Sequence, residues 1–151
     1  YVLNGEDGAC YAACMMDAGK VSILSGIYYN CLQRDNSVSR SGDRHAVSRC
    51  LTLLEYYEAL FAKKQMDFED QFHRLTVGMM YTAVRSVELS GCGIRWLYRE
   101  YRKAVEVETV RESFRKAAFA SGAKKMKLKQ QILRWGLLWL VGPITRLKQE
   151  G

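Results

Sequence analysis

Apolar side chains recur every three or four positions along most of this 151-residue chain, and nowhere does a period-two alternation persist. That pattern admits helices and argues against sheets. Proline, which breaks helices and gathers in loop-rich sandwiches, occurs once, and twelve glycines supply the punctuation instead. The fold class expected is all-α: a bundle of about five helices with an extra hydrophobic C-terminal helix or tail. The length suits one domain that buries its own core without disulfides or metal. The expected organisation is a single domain over 1–151, with the five-helix bundle in 9–122 and the tail in 123–151.

The first helix is expected from about Ala9 to Gln33, where Cys10, Cys14, Ala18, Val21, Leu24, Tyr28, Cys31 and Leu32 keep helical spacing. Gly19 and Gly26 weaken it. Arg34 to Gly42 reads as a polar loop. Ser41 or Asp43 is then placed to cap a long second helix. Its stripe runs Val47, Cys50, Leu51, Leu54, Tyr57, Phe61, Phe68, Phe72 and Leu75, with a bend near Gln65. A third helix is expected to start around Gly78 and to end at Gly91 and Gly93. A short fourth follows from about Ile94 to Ala104. A fifth runs from about Val107 to Ala120, with Val107, Val110, Phe114 and Ala118 as its stripe, closed by Ser121–Gly122.

Charge separates the two halves. The formal net charge is +7. Residues 1–75 carry 8 Lys/Arg against 10 Asp/Glu, whereas residues 76–151 carry 15 against 6. Such polarity points to an acidic partner: nucleic acid, anionic lipid or an acidic glycoprotein. On the fourth helix Arg95, Arg99 and Arg102 share a face, with Lys103 beside them, a basic patch suited to phosphates or to sulfated and sialylated glycans. In the tail Lys124, Lys125, Lys127 and Lys129 precede Ile132, Leu133 and Arg134. From Trp135 to Val141 no side chain is polar. Tryptophan favours the headgroup layer of a bilayer and lysine favours anionic lipid. The expected membrane-binding set is therefore Lys124, Lys125, Lys127, Lys129, Arg134, Trp135, Leu137, Leu138 and Trp139. The competing reading buries the whole segment as a central helix. Gly136 is a poor centre for such a helix, which tips the balance towards exposure.

Motifs for catalysis are missing: no nucleophile elbow, Walker loop, dinucleotide fingerprint or metalloprotease helix occurs. His45 and His73 are each expected to be solvated on a helix surface. Asp67, Glu69 and Asp70 read as a solvated acidic face. The five cysteines, Cys10, Cys14, Cys31, Cys50 and Cys92, show no CxxC. Most are expected to be small buried hydrophobes, with one or two disulfides in an oxidising compartment as the alternative. No enzyme activity, metal or cofactor is expected. No apolar run reaches the roughly 20 residues of a spanning helix. A start at Tyr1 fits removal of a leader.

The order of motifs resembles the abalone sperm lysin family. Lys20-Val21-Ser22-Ile23-Leu24-Ser25-Gly26 is similar to the lysine–valine–x–isoleucine–x–small–glycine stretch of that family's first helix. An aromatic second helix follows, here with Tyr56, Tyr57 and Phe61. Val77-Gly78 with Tyr81-Thr82 resembles the turn into the family's third helix. Trp96-Leu97-Tyr98-Arg99-Glu100-Tyr101 falls where the family has a short aromatic and charged fourth helix. The likeness spans roughly residues 10 to 120 of the chain. Lysin itself has no cysteines, is more evenly basic and has no counterpart of Trp135–Val141, so the likeness leans to the fusagenic branch of the family. It implies a closed up-and-down helical bundle, residence in the acrosomal vesicle, secretion on exocytosis, and non-enzymatic perturbation of membranes at sperm–egg fusion. The partner implied is anionic membrane lipid or an egg-surface glycoprotein, with a homodimer left open. The alternative is lysin-like, binding and unravelling an egg-coat glycoprotein. Nucleic acid is not the expected partner.

Overall fold

The computed structural model describes residues 6–20, 22, 42–63 and 69–146. Among these residues every regular element is helical, which makes the fold all-α. The α-helices are α1 (Glu6–Asp17), α2 (Ala46–Lys63), α3 (Glu69–Leu89), α4 (Gly93–Glu106), α5 (Glu108–Lys116), α6 (Lys124–Trp135) and α7 (Val141–Arg146), with a 3₁₀ turn at Leu138–Leu140.

Helix α1 stops at Asp17, and Ala18, Gly19 and Lys20 are not helical. The expected helix to Gln33 is corrected at that point. Glycine at position 19 supplies no side chain to hold a helix and adds backbone entropy. The rest of that expected helix, and most of the polar loop after it, lie outside the described residues.

Where one long helix is expected from Val47 to Leu75, the described residues form two antiparallel helices, α2 and α3; Gln65, the expected bend, and Phe68 lie outside the described residues. At one end the Asp43 amide donates to the Ser86 carbonyl at 3.1 Å and to its hydroxyl at 3.0 Å. At the other end Phe61 meets Phe72 edge to face at 6.2 Å. Both helices turn their stripes to one core, which holds Val47, Cys50, Leu54 and Tyr57 from α2 and Phe72, Val77, Met80 and Val84 from α3. Of the two caps expected for α2, Asp43 stands ahead of the cap position, which His45 takes; its Oδ1 accepts from the His45 amide at 2.9 Å and closes the turn leading into the helix. Ser41 lies outside the described residues. Gly42 is required just before it. Its φ is +70°, and a Cβ there would stand 2.4 Å from the Ser90 nitrogen.

The expected start of a helix at Gly78 is also corrected, because Gly78 lies inside α3. Helix α3 forms the hub. It packs against α2, α4, α5, α6 and α7, and its buried side chains include Thr76, Ala83 and Val87. Thr76 satisfies its hydroxyl on the Phe72 carbonyl at 2.8 Å, so its burial leaves no donor unpaired. Gly91, at φ +73°, ends α3 as expected, and Gly93, at φ +78°, opens α4. Helix α5 is shorter than the expected fifth helix: Ala117 leaves the helical region at ψ 117° and Ala118 is exposed. Gln130 of α6 caps this end, donating to the carbonyls of Phe114 at 3.2 Å and Ala117 at 2.9 Å.

The tail is no continuous helix. Gly136 takes φ +63°, the Leu137 amide returns to the Ile132 carbonyl at 2.9 Å and the Gly136 amide to Leu133 at 3.2 Å. This paired closure ends α6. The chain then turns through Leu138–Leu140 into α7.

Candidate membrane-facing surface

Closure at Gly136 decides which tail side chains go inside. Ile132, Leu133, Leu138 and Val141 are buried to 1% exposure or less. Trp135 and Trp139 are 68% and 59% exposed, with Leu137 beside them. The turn thus has an anchored side and a free side. Leu138, expected among the membrane contacts, belongs to the anchored side. Burial of that side chain stabilises the fold by about 2 kcal/mol and removes it from any outer surface.

Two tyrosines of α4 hold this base in place. Tyr101 donates its hydroxyl to the Leu133 carbonyl and stacks on Phe114 at 6.4 Å. Burial pushes its phenol up to about 12. Tyr98 donates to the Gly136 carbonyl at 2.8 Å. That bond brings the outer face of α4 against the turn. Ile94 and Tyr98 of α4 and Leu128 of α6 are exposed as well. All three were missed in the sequence. Leu128 sits seven residues before Trp135, two turns up the same face, and that spacing was the available signal.

The charged residues divide. Lys124, Lys125, Lys127 and Arg134 are exposed, and Arg134 stands over the Trp135 ring at 5.5 Å. Lys129 turns inward over Tyr81 of α3 at 5.1 Å, so it leaves the outer basic cluster. Arg95, Arg99 and Arg102 are exposed on α4. Lys103 is not part of that open patch. Its ammonium is tied to the fully buried Glu100 carboxylate and donates to Ser48 at 3.2 Å, while Ser48 donates to Glu100 at 3.1 Å. A carboxylate buried this far must have its charge met, and Lys103 meets it. Among the described residues no carboxylate pairs with Lys124, Lys125, Lys127, Arg134, Arg95, Arg99 or Arg102. The two expected sites are thus adjoining parts of one surface, joined through Tyr98.

His73 corrects another expectation. It is buried, because α5 packs over the polar side of α3. Ser113 gives its proton to the Thr109 carbonyl at 2.7 Å, so the His73 Nδ1–H donates to Ser113 Oγ at 2.9 Å. Nε2 lies 3.4 Å from Glu69 Oε1, an ion-pair distance without hydrogen-bond alignment. Serine, histidine and carboxylate have the order of a hydrolytic triad, but Ser113 is fully buried and its proton is committed elsewhere. The arrangement ties α3 to α5. Glu69 and Asp70 are exposed and pair with basic neighbours, whereas Asp67 lies outside the described residues.

His45 is exposed, as expected, and its ring meets Trp96 edge to face at 5.8 Å. Four cysteines are free thiols: Cys10 and Cys14 exposed, Cys92 half-buried, Cys50 buried. Cys31 lies outside the described residues. No group of three or more potential metal ligands occurs among the described residues. A groove of about 660 Å³ runs between α2 and α3, edged by Arg49, Arg74 and Arg85. Arg49 and Arg74 are paired there with Asp43 and Asp70. No described helix is long and apolar enough to cross a membrane.

In comparisons with known proteins, no family model, no curated protein and no solved structure matches the chain.

Proposed function

We propose that this protein binds anionic membrane surfaces and perturbs them without catalysis. The observation that carries this reading is the exposure of Trp135 and Trp139, with Leu137, on a base anchored by the buried Ile132, Leu133, Leu138 and Val141. A rigid turn presenting two indoles can enter the interfacial layer at little ordering cost. The unpaired cations of α4 and α6 draw the protein to anionic lipid, at about 1 kcal/mol per basic residue near the surface. The resemblance to the lysin family supplies the setting: an up-and-down bundle, acrosomal storage, secretion on exocytosis and sperm–egg fusion.

Vesicles containing phosphatidylserine test the reading. Binding, leakage and lipid mixing are expected from the native protein and are expected to be lost in Trp135→Ser/Trp139→Ser. Equal activity of the two proteins would remove the tail from the mechanism. The unpaired arginine face of α4 favours a second reading, binding of an acidic egg-coat glycoprotein. That reading requires purified egg envelopes to loosen in the absence of lipid and the tryptophan variant to remain active.

A further inference from the structure

We propose that Arg44, Arg99 and Trp96 form a binding site for a dianionic phosphomonoester group. The site shares Arg99 with the basic face of α4; its assignment to a lipid headgroup rests on the membrane reading, whereas the binding of a phosphomonoester does not.

Trp96 is half-buried, and its indole N–H donates to the Arg44 carbonyl at 2.9 Å. This bond fixes the ring of α4 against the chain entering α2. The Arg44 guanidinium carbon stands 4.6 Å from the ring centroid and that of Arg99 stands 5.2 Å from it. His45 meets the same ring. Two cations from distant parts of the sequence are therefore held beside one indole.

Several basic side chains elsewhere are cancelled. Arg49 pairs with Asp43, Arg74 with Asp70, Lys103 with Glu100, Arg111 with Glu108 and Lys116 with Glu112. Arg44 and Arg99 pair with no carboxylate among the described residues. A guanidinium stacked on an indole keeps its N–H donors and loses much of its freedom beforehand. Two such groups match a ligand with two negative charges and several acceptor oxygens. A phosphomonoester supplies both. A carboxylate or a phosphodiester supplies one charge.

The three tryptophans of the chain make the test clean. Trp135→Phe/Trp139→Phe leaves Trp96 as the only indole, so its fluorescence reports this site alone. Titration with glycerol 3-phosphate is expected to give a saturable change. Arg44→Gln and Arg99→Gln, each added to that background, are expected to weaken it about tenfold, with unchanged circular dichroism. In a second arm, vesicles with phosphatidic acid are compared with vesicles holding the same fraction of phosphatidylserine. A preference for phosphatidic acid over phosphatidylserine that disappears in Arg44→Gln/Arg99→Gln, both vesicles then being bound equally and more weakly, identifies the source as lipid. Saturation by glycerol 3-phosphate without lipid preference identifies a soluble ester. No Trp96 response together with no lipid preference overturns the site. Tighter binding of an oligonucleotide without terminal phosphates than of glycerol 3-phosphate also overturns it. If Trp135→Ser/Trp139→Ser abolishes vesicle binding and Trp96 still responds, both readings stand. If Trp96 responds and native protein ignores all vesicles, only the membrane reading falls.

Discussion

The α2–α3 hairpin and the surface made by α4, α6 and the tail treat charge and apolar surface in opposite ways. In the hairpin Arg49 and Arg74 are met by Asp43 and Asp70, and the shared stripe faces the core. On the other surface Arg95, Arg99 and Arg102 lie open, and Trp135, Leu137 and Trp139 face outward. Folding alone explains the first arrangement. It does not explain the second, because unpaired charge and exposed indole add nothing to the stability of an isolated monomer. Leu138 and Trp139 show the contrast within two adjacent residues.

The comparison can be broken at that pair. Leu138→Ala is expected to lower unfolding free energy by about 4 kcal/mol, since it hollows a site with no exposure. Trp139→Ala is expected to change it by no more than about 0.5 kcal/mol. Urea denaturation measures both, and equal losses would mean that Trp139 is not an outward side chain. Lys103 and Arg102 make the same test for charge. Lys103→Met strands the Glu100 carboxylate and is expected to cost about 3 kcal/mol. Arg102→Met is expected to leave stability within about 0.5 kcal/mol and to weaken vesicle binding by about 1 kcal/mol.

Alkali sharpens the comparison further. Burial raises the Cys50 thiol from an ordinary 9.0 to about 12 and the Tyr101 phenol from 10.0 to about 12. Both groups are neutral when protonated, and the unfolded chain releases these protons first. Their contribution is therefore intact below about pH 9 and is lost as pH rises towards 12. Each group lowers stability by up to about 1.4 kcal/mol per pH unit within its window. Denaturation curves from pH 8 upward are expected to show this decline, with a shallower onset in Cys50→Ala. The smallest effect is chemical. Cys10 and Cys14 are expected to label with a thiol reagent in the native protein, and Cys50 only after unfolding.

Particular residues show how far the sequence could be read. The start of α4 followed from Gly91 and Gly93, one residue from the expected Ile94, and its end at Glu106 lies two residues past the expected Ala104. The hairpin was hidden because α2 and α3 face one core. The apolar stripes of the two helices keep one phase along the sequence, and no glycine or proline lies between Lys63 and Glu69 to signal a break. His73 looked like a surface residue on its own helix, yet α5 covers it and Ser113 supplies its partner from 40 residues away. Lys103 looked equivalent to Arg102 until Glu100 proved to need a counter-charge.

Helix class, the polarity of charge between the halves and the adjacency of lysines to tryptophans were all present in the linear chain. They depend on residue identity and on spacing within a few turns, and a helix converts such spacing directly into faces. Three things waited for the packed structure. One is the reversal between α2 and α3. Another is the division of the tail at Gly136 into a buried and an outward side. The last is the meeting of Arg44 with Trp96 across 52 positions of sequence. Each depends on which surfaces the core claims first, and burial is settled by competition among all the helices together rather than by any one of them.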